Sequence, residues 1–321
     1  MKSNPLLVLA TACLLDGAGY AQAPVERRPP SNEPTTTIRV ESRLVNVALN
    51  VIDENGTPVG GLSVNDFTLT EDNKPQRIAI FEKESSTPLS IVLALDASES
   101  VLSDRNLERE AAKGFLKGLV RRQDRVDLMS FSDSVDEVVS FTNDIRAIDS
   151  GIGHIERGSS TALYDAVYLA SQRLGDAPVV PGERRVVVLI TDGEDTAHHG
   201  SYDAALEQAE RSGVMIYSLI IVPVAADAGR NEGGEHALIQ MAHDTGGKFY
   251  YVEDKRDLAP ALAHVSEDLR TQYTLGYYAP QNGGNSSGLR QIGLQLKDSA
   301  LRARYTLRYR TAYYSKRDSG H

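Results

Sequence analysis

The sequence predicts an α/β protein with a doubly wound, mainly parallel sheet and a small β-sandwich built from N- and C-terminal strands. Three observations predict it. The stretches Ile91-Val92-Leu93-Ala94-Leu95 and Val186-Val187-Val188-Leu189-Ile190 are uninterrupted apolar runs closed by polar residues, the pattern of strands buried on both faces. Strands of this kind alternate with helical periodicity through residues 88–272, which calls for a parallel sheet with helices on both faces. Outside that span, in residues 38–87 and 273–321, apolar residues recur at every second position instead.

Taken in order, Met1-Lys2-Ser3 followed by the apolar residues 6–15 reads as a signal peptide. Gly19-Tyr20-Ala21 is the preferred cleavage pattern, since the alternative after Ala23 would leave Pro24 directly behind the cut. Residues 1–21 would then be removed and the chain exported, to the periplasm or beyond. The apolar stretch is too short to span a membrane, and the mature chain contains no other candidate span. Cys13, the single cysteine, falls inside this segment, so a mature chain would have neither disulfides nor cysteine metal sites. Lipid anchoring through Cys13 is the minor alternative, because Ala10 stands where a larger aliphatic residue is usual. Residues 22–37, with Arg27-Arg28-Pro29-Pro30, read as an extended proline-rich linker.

In residues 38–87, Val45, Val47, Leu49 and Val51 alternate with Asn46, Ala48 and Asn50 before the turn Asp53-Glu54-Asn55-Gly56. Phe67, Leu69 and Glu71 follow, then the turn signal Asp72-Asn73 and the pair Ile78, Ile80. Three or four strands bury too little to stand alone. Their predicted partners lie in 273–321, where Tyr273-Thr274-Leu275-Gly276-Tyr277-Tyr278, then Ile292, Leu294, Leu296, then Tyr305, Leu307, Tyr309 repeat the alternation. In between, helices are expected from near Ser103-Asp104, over 147–155, from Ser160-Thr161, and over 204–212, 236–245 and 258–269. Strands are expected at 126–131, 138–141, 214–222 and 249–252 as well as at the two apolar runs.

Chemistry concentrates in three loops that the alternation places on one carboxyl edge of the sheet: Asp96-Ala97-Ser98-Glu99-Ser100, Ser160-Thr161 and Thr191-Asp192-Gly193. Their carboxylates and hydroxyls form an all-oxygen set suited to a hard divalent cation, with water to complete an octahedron around Mg²⁺. Each motif alone has a plain structural reading. Asp96 and Ser160-Thr161 could cap helices, and Asp192-Gly193 is a common turn. Other candidates are weaker. Glu194 and Asp195 read as solvated loop acids, His198-His199 as surface, and Asp165 as a local cap or ion-pair partner, while Glu99 faces either a partner or water. His154, His236, His243 and His264 lack zinc-ligand spacing.

Asp-x-Ser-x-Ser after a buried strand, a threonine in Ser160-Thr161-Ala162-Leu163-Tyr164-Asp165-Ala166, and Thr191-Asp192-Gly193 occur in order, and together resemble a von Willebrand factor A domain over residues 88–272. More loosely, Asp66-Phe67-x-Leu69-x-Glu71-Asp72 and the tyrosine-rich C-terminus resemble A-domain-related proteins described from acidobacteria. The resemblance implies a Rossmann-like domain with a metal-ion-dependent adhesion site (MIDAS). There, Ser98 and Ser100 would ligate the cation, Thr161 would do so directly or through water, and Asp96 and Asp192 would balance charge largely through water. It further implies that a partner protein's Asp or Glu completes the coordination. Mg²⁺ is the expected cofactor, with Mn²⁺ or Ca²⁺ as substitutes.

A net charge of −10 argues against nucleic acid as the partner. The expected function is therefore a non-enzymatic, exported, Mg²⁺-dependent protein-binding module for adhesion or assembly. Two alternatives stand beside it. A Mg²⁺-dependent phosphoryl-transfer hydrolase would use an aspartyl nucleophile, yet such enzymes want a second acid where this chain has Ser98. Gly-x-Ser-x-Gly, P-loop and Gly-x-Gly-x-x-Gly patterns are also absent from the sequence. In the other alternative the protein is a scaffold whose metal is purely structural.

Overall fold

The structure is a computed structural model that describes residues 43–83, 87–98, 105–178, 180, 183–222, 232–279 and 288–315. The expected signal peptide with Cys13, the linker, Glu99, Ser100 and the helix start near Ser103-Asp104 lie outside the described residues.

The central sheet has six strands. They are β5 (Leu89–Asp96), β6 (Arg125–Phe131), β7 (Val135–Thr142), β8 (Arg184–Thr191), β9 (Val214–Ile221) and β10 (Lys248–Val252), in the spatial order β10-β9-β8-β5-β6-β7. All neighbours run parallel except β7, which turns back antiparallel on β6 through a short loop. The alternating direction of side chains along a strand divides each apolar run between two cores. Leu89, Ile91, Leu93 and Leu95 face one side, together with Val186, Val188 and Ile190. There they meet α1 (Arg105–Leu119), α2 (Ile145–Ile152) and α6 (Leu258–Thr271) through Phe115, Leu119, Ile148, Leu262 and Leu269. Val92, Ala94, Val187 and Leu189 face the other side, against α3 (Leu163–Asp176), α4 (Tyr202–Ser212) and α5 (Glu232–Thr245), whose Leu163, Val167, Ala205, Ala209, Leu238 and Met241 are buried. Residues 91–95 and 186–190 are apolar at every position because both faces of these stretches are covered.

The remaining strands form two antiparallel sheets. One has the order β13-β1-β11-β4, from Thr306–Tyr309, Arg43–Ile52, Tyr273–Ala279 and Ile78–Glu82. The other has the order β14-β12-β2-β3, from Ala312–Tyr314, Leu289–Leu296, Phe67–Glu71 and Lys74–Gln76. Each sheet joins strands from both sides of the parallel-sheet segment. β1 lies between β11 and β13, with Val45 opposite Tyr277 and Val47 opposite Leu275, while β12 pairs with β2, with Leu294 opposite Leu69. Val47, Leu49, Phe67, Leu69, Leu275, Tyr277, Leu294 and Leu296 share one buried core. Within it Tyr277 and Tyr313 both donate to Oε2 of the buried Glu71, at 2.6 and 2.7 Å. The Asp72-Asn73 turn takes φ of 48° and 62°, left-handed values that Asp and Asn tolerate, and delivers the tight β2–β3 hairpin.

A buried polar junction ties the sandwich to the parallel sheet. Asn50 on β1 and Gln272, just after α6, donate to the Tyr217 hydroxyl on β9, at 3.2 and 3.1 Å. Gln272 in turn accepts from Arg184 at 2.6 Å. These groups sit towards the amino ends of the central strands, so the carboxyl edge is left to the three loops.

Candidate metal centre

β5 is the first strand of the parallel sheet, and the chain builds outward from it in both directions. β6 lies on one side and β8 on the other. That reversal opens a crevice at the carboxyl ends of β5 and β8, where open α/β sheets bind ligands. Asp96 is the last residue of β5 and Asp192 directly follows β8.

Asp96 is fully buried. Its Oδ1 accepts from the Ser98 amide at 2.9 Å and its Oδ2 from the Thr191 hydroxyl at 2.6 Å. Thr191 Oγ1 also accepts from the Gly193 amide at 3.1 Å, which locks the start of the third loop onto the Asp96 carboxylate. Burial raises the Asp96 carboxyl to about 6, against the lowering effect of Thr191 and Ser98, and the nearby Asp192 charge adds to the rise. Among the described residues its hydrogen-bond donors, Thr191 and Ser98, are neutral. A buried carboxylate held this way gains from a neighbouring cation.

The three loops are joined to one another by backbone and hydroxyl bonds. A bridge pairs Ser98 with Gly158, and the Gly158 amide donates to Ala97 O at 3.2 Å. Thr161 is buried, its amide donating to Thr196 Oγ1 at 2.8 Å while its carbonyl accepts from the Thr196 and Ala197 amides at 3.0 and 3.1 Å. Asp192 is half-buried, and its Oδ1 accepts from the Glu194 amide at 3.4 Å. Asp96, Ser98, Thr161 and Asp192 therefore lie on three interlocked loops at one sheet edge. Ser100 lies outside the described residues. No group of three or more His, Cys, Asp or Glu side chains with metal-holding geometry occurs among the described residues. The donor set here is two carboxylates with hydroxyls, and that chemistry fits a hard divalent cation completed by water.

Several residues support the site without having been singled out. Thr191 and Thr196 hold Asp96 and Thr161 in place, and a hydroxyl directly before the Asp192-Gly193 turn was the available signal for the first of them. Asp195, expected to be a solvated acid, has an 8% exposed side chain and accepts from the Tyr164 amide at 3.3 Å. It caps α3 from another loop, because the residue at the N-cap position, Ala162, has no side-chain acceptor. Gly193 has φ of +89°, and a Cβ on Gly234 in the first turn of α5 would come within 1.6 Å of Gly193 O. The third loop thus packs directly on the start of α5. Asp165, expected to cap or pair locally, instead lies 3.8 Å from His199 of the third loop, an ion pair when that imidazole is protonated, and both His198 and His199 are exposed. A cavity of about 350 Å³ beside the loops is lined by Tyr164, Asp165, Tyr168 and His199. A second, of about 670 Å³, lies at the amino edge against the sandwich and contains none of the sequence-predicted site residues.

The sequence profile of the von Willebrand factor type A domain matches residues 90–265. These residues stop short of the flanking strands, so the likeness to acidobacterial proteins remains an expectation from sequence. No curated protein matches the chain. Similar solved structures include von Willebrand factor type A from Catenulispora acidiphila, with 13% identity and a TM-score of 0.48, covering 87% of this chain and 76% of that one. An aerotolerance-related membrane protein from Bacteroides fragilis has 20% identity and a TM-score of 0.43, covering 56% of this chain and 98% of that one. Proximal thread matrix protein 1 from the mussel byssus, with a zinc-occupied MIDAS motif, has 17% identity and a TM-score of 0.49, covering 64% of this chain and 50% of that one.

Proposed function

The chain belongs to the von Willebrand factor type A domain family, and from that premise we propose that it is an exported, Mg²⁺-dependent protein-binding module for adhesion or assembly. Domains of this family are generally protein-interaction modules and not enzymes. In this reading Ser98, Ser100 and Thr161 offer hydroxyls to the cation, and Asp96 and Asp192 balance its charge through water and hydrogen bonds. Few carboxylates in direct contact leave the cation electron-poor, so an incoming Asp or Glu from a partner protein is a favoured ligand. The bound cation supplies the attraction, and the protein's own loops fix where the partner's carboxylate must arrive. Export follows from the signal-peptide pattern of residues 1–21.

The observation that supports this reading most is the buried Asp96 carboxylate at the switch point, held by neutral donors and joined through Thr191 to the Asp192 loop. The test has two parts. Titration calorimetry with Mg²⁺ and Mn²⁺ should detect one site that Asp96→Ala and Thr161→Ala abolish without lowering helix content. A pull-down from envelope and secreted fractions of the source organism should then recover a partner that EDTA releases and Mg²⁺ restores. Partner binding that survives both EDTA and the two substitutions would overturn the proposal.

A further inference from the structure

The second loop has little regular structure of its own, so something must hold Thr161 at the edge where the cation would sit. We propose that Asp133 is a second positioning residue for Thr161, acting through Ser159 and Ser160 beside the clamp from Thr196. The inference rests on the metal-site reading above and concerns what sets the affinity of that site.

Asp133 lies two residues beyond the end of β6, the strand next to β5. Its Oδ1 accepts from the Ser160 amide at 2.9 Å, the Ser160 hydroxyl at 2.5 Å and the Ser159 hydroxyl at 3.2 Å. Its Oδ2 accepts from the Ser159 amide at 3.3 Å. Three donors converge on Oδ1 and one reaches Oδ2, so the carboxylate is engaged chiefly with residues 159–160. Its role is to hold the loop. The same donors, the Ser160 hydroxyl first, keep its carboxyl below the usual range, so it stays ionised and its bonds remain charge-assisted.

The surrounding backbone shows what the latch fixes. Gly158 packs so closely on the β6–β7 loop that a Cβ there would lie 2.5 Å from Ser132 Oγ and 2.7 Å from Asp133 Oδ2. One residue beyond Thr161, the Ala162 amide donates to Ser132 O at 2.8 Å. The backbone of Thr161 itself is clamped by Thr196 and Ala197. The threonine is thus bracketed on both sides by the loop that carries Asp133. Without the carboxylate, residues 159–160 would lose four acceptor contacts at an exposed loop, and ordering them on metal binding would cost affinity.

The test is Mn²⁺ binding to the purified full-length protein by electron paramagnetic resonance, with amide exchange over residues 158–162 as a second readout. Asp133→Ala and the double variant Ser159→Ala/Ser160→Ala should each weaken Mn²⁺ binding about tenfold, the scale seen when groups that orient metal ligands are removed. Both should quicken exchange at Thr161 and Ala162, with an unchanged melting temperature of the metal-free protein. Asp133→Asn, which keeps an acceptor at Oδ1, should recover most of the affinity. The double variant leaves the charge untouched, so it separates positioning from simple electrostatics. Wild-type affinity in the double variant, or Asp133→Asn binding as weakly as Asp133→Ala, would overturn the positioning role while leaving the metal site standing. A wild-type protein that binds no Mn²⁺ would overturn both.

Discussion

At the scale of single residues, the buried acids carry the most information. Asp96 and Asp127 are both fully buried, but their surroundings differ. Asp96 ends a strand at the crevice and is satisfied by neutral donors, whereas Asp127, mid-strand on β6, meets Arg173 at 3.2 Å and leaves Oδ1 without a hydrogen-bond partner. Burial, reinforced by the Glu137 charge, raises the Asp127 carboxyl to about 7. The folded value lies above the unfolded one, so the native state binds more protons between roughly pH 4 and 7, and stability falls as pH rises through that window. Asp127→Asn removes this titration. Chemical denaturation at pH 5 and pH 8 should show the wild type losing roughly 2 kcal/mol more over that interval than the variant. Equal losses in both proteins would contradict the assignment.

At the scale of elements, glycine positions separate packing constraint from helix propensity. Gly234, in the first turn of α5, packs against the carbonyl of Gly193, where no side chain fits, and Gly193 belongs to the loop that carries Asp192. Gly234→Ala should therefore push the third loop away from α5, destabilising the protein by about 1–3 kcal/mol and weakening divalent-ion binding together. Gly114 and Gly118 lie on the exposed side of α1 with nothing within 4 Å of an added Cβ. Alanine there should raise stability by about 0.5–1 kcal/mol each and leave metal affinity unchanged. Thermal melts and calorimetry on the three variants distinguish the two cases. If Gly234→Ala bound metal like the wild type, α5 would not be positioning the loop.

At the scale of the whole molecule, the parallel sheet is inserted between strands that depend on each other. β1 pairs with β11 over seven residues, from Arg43 opposite Ala279 to Leu49 opposite Tyr273, and with β13 on its other edge. We propose domain boundaries at 38–87, 88–272 and 273–321, with the first and last segments folding as one sandwich. A chain ending at Gln272 should keep its helical circular dichroism but expose residues 43–83 to limited proteolysis, because β1 loses both neighbours and β2 keeps only β3. Equal protection of that segment in the full and shortened chains would refute the interdependence.

Much of this was legible in the residues themselves. The two all-apolar runs could only be strands covered on both faces, and the Asp-x-Ser-x-Ser, Thr161 and Asp192 motifs needed only to be assigned to one sheet edge. The Asp72-Asn73 hairpin and the alternating strands at both ends were equally readable, because turn chemistry and a period of two are local properties. What the sequence could not determine depends on groups far apart in the chain. Asp195 capping α3, Asp133 gathering Ser159 and Ser160, Thr191 bonded to Asp96 across 95 residues, and Gly234 seated on Gly193 have no periodicity or spacing to betray them. The short strand β14 likewise owes its form to the strand it pairs with. Local patterning chose the fold and nominated the proposed ligands, because burial and turn preferences act within a few residues. Tertiary structure alone decided how the three loops are held, because a carboxylate takes its hydrogen bonds from whatever the folded chain brings within reach.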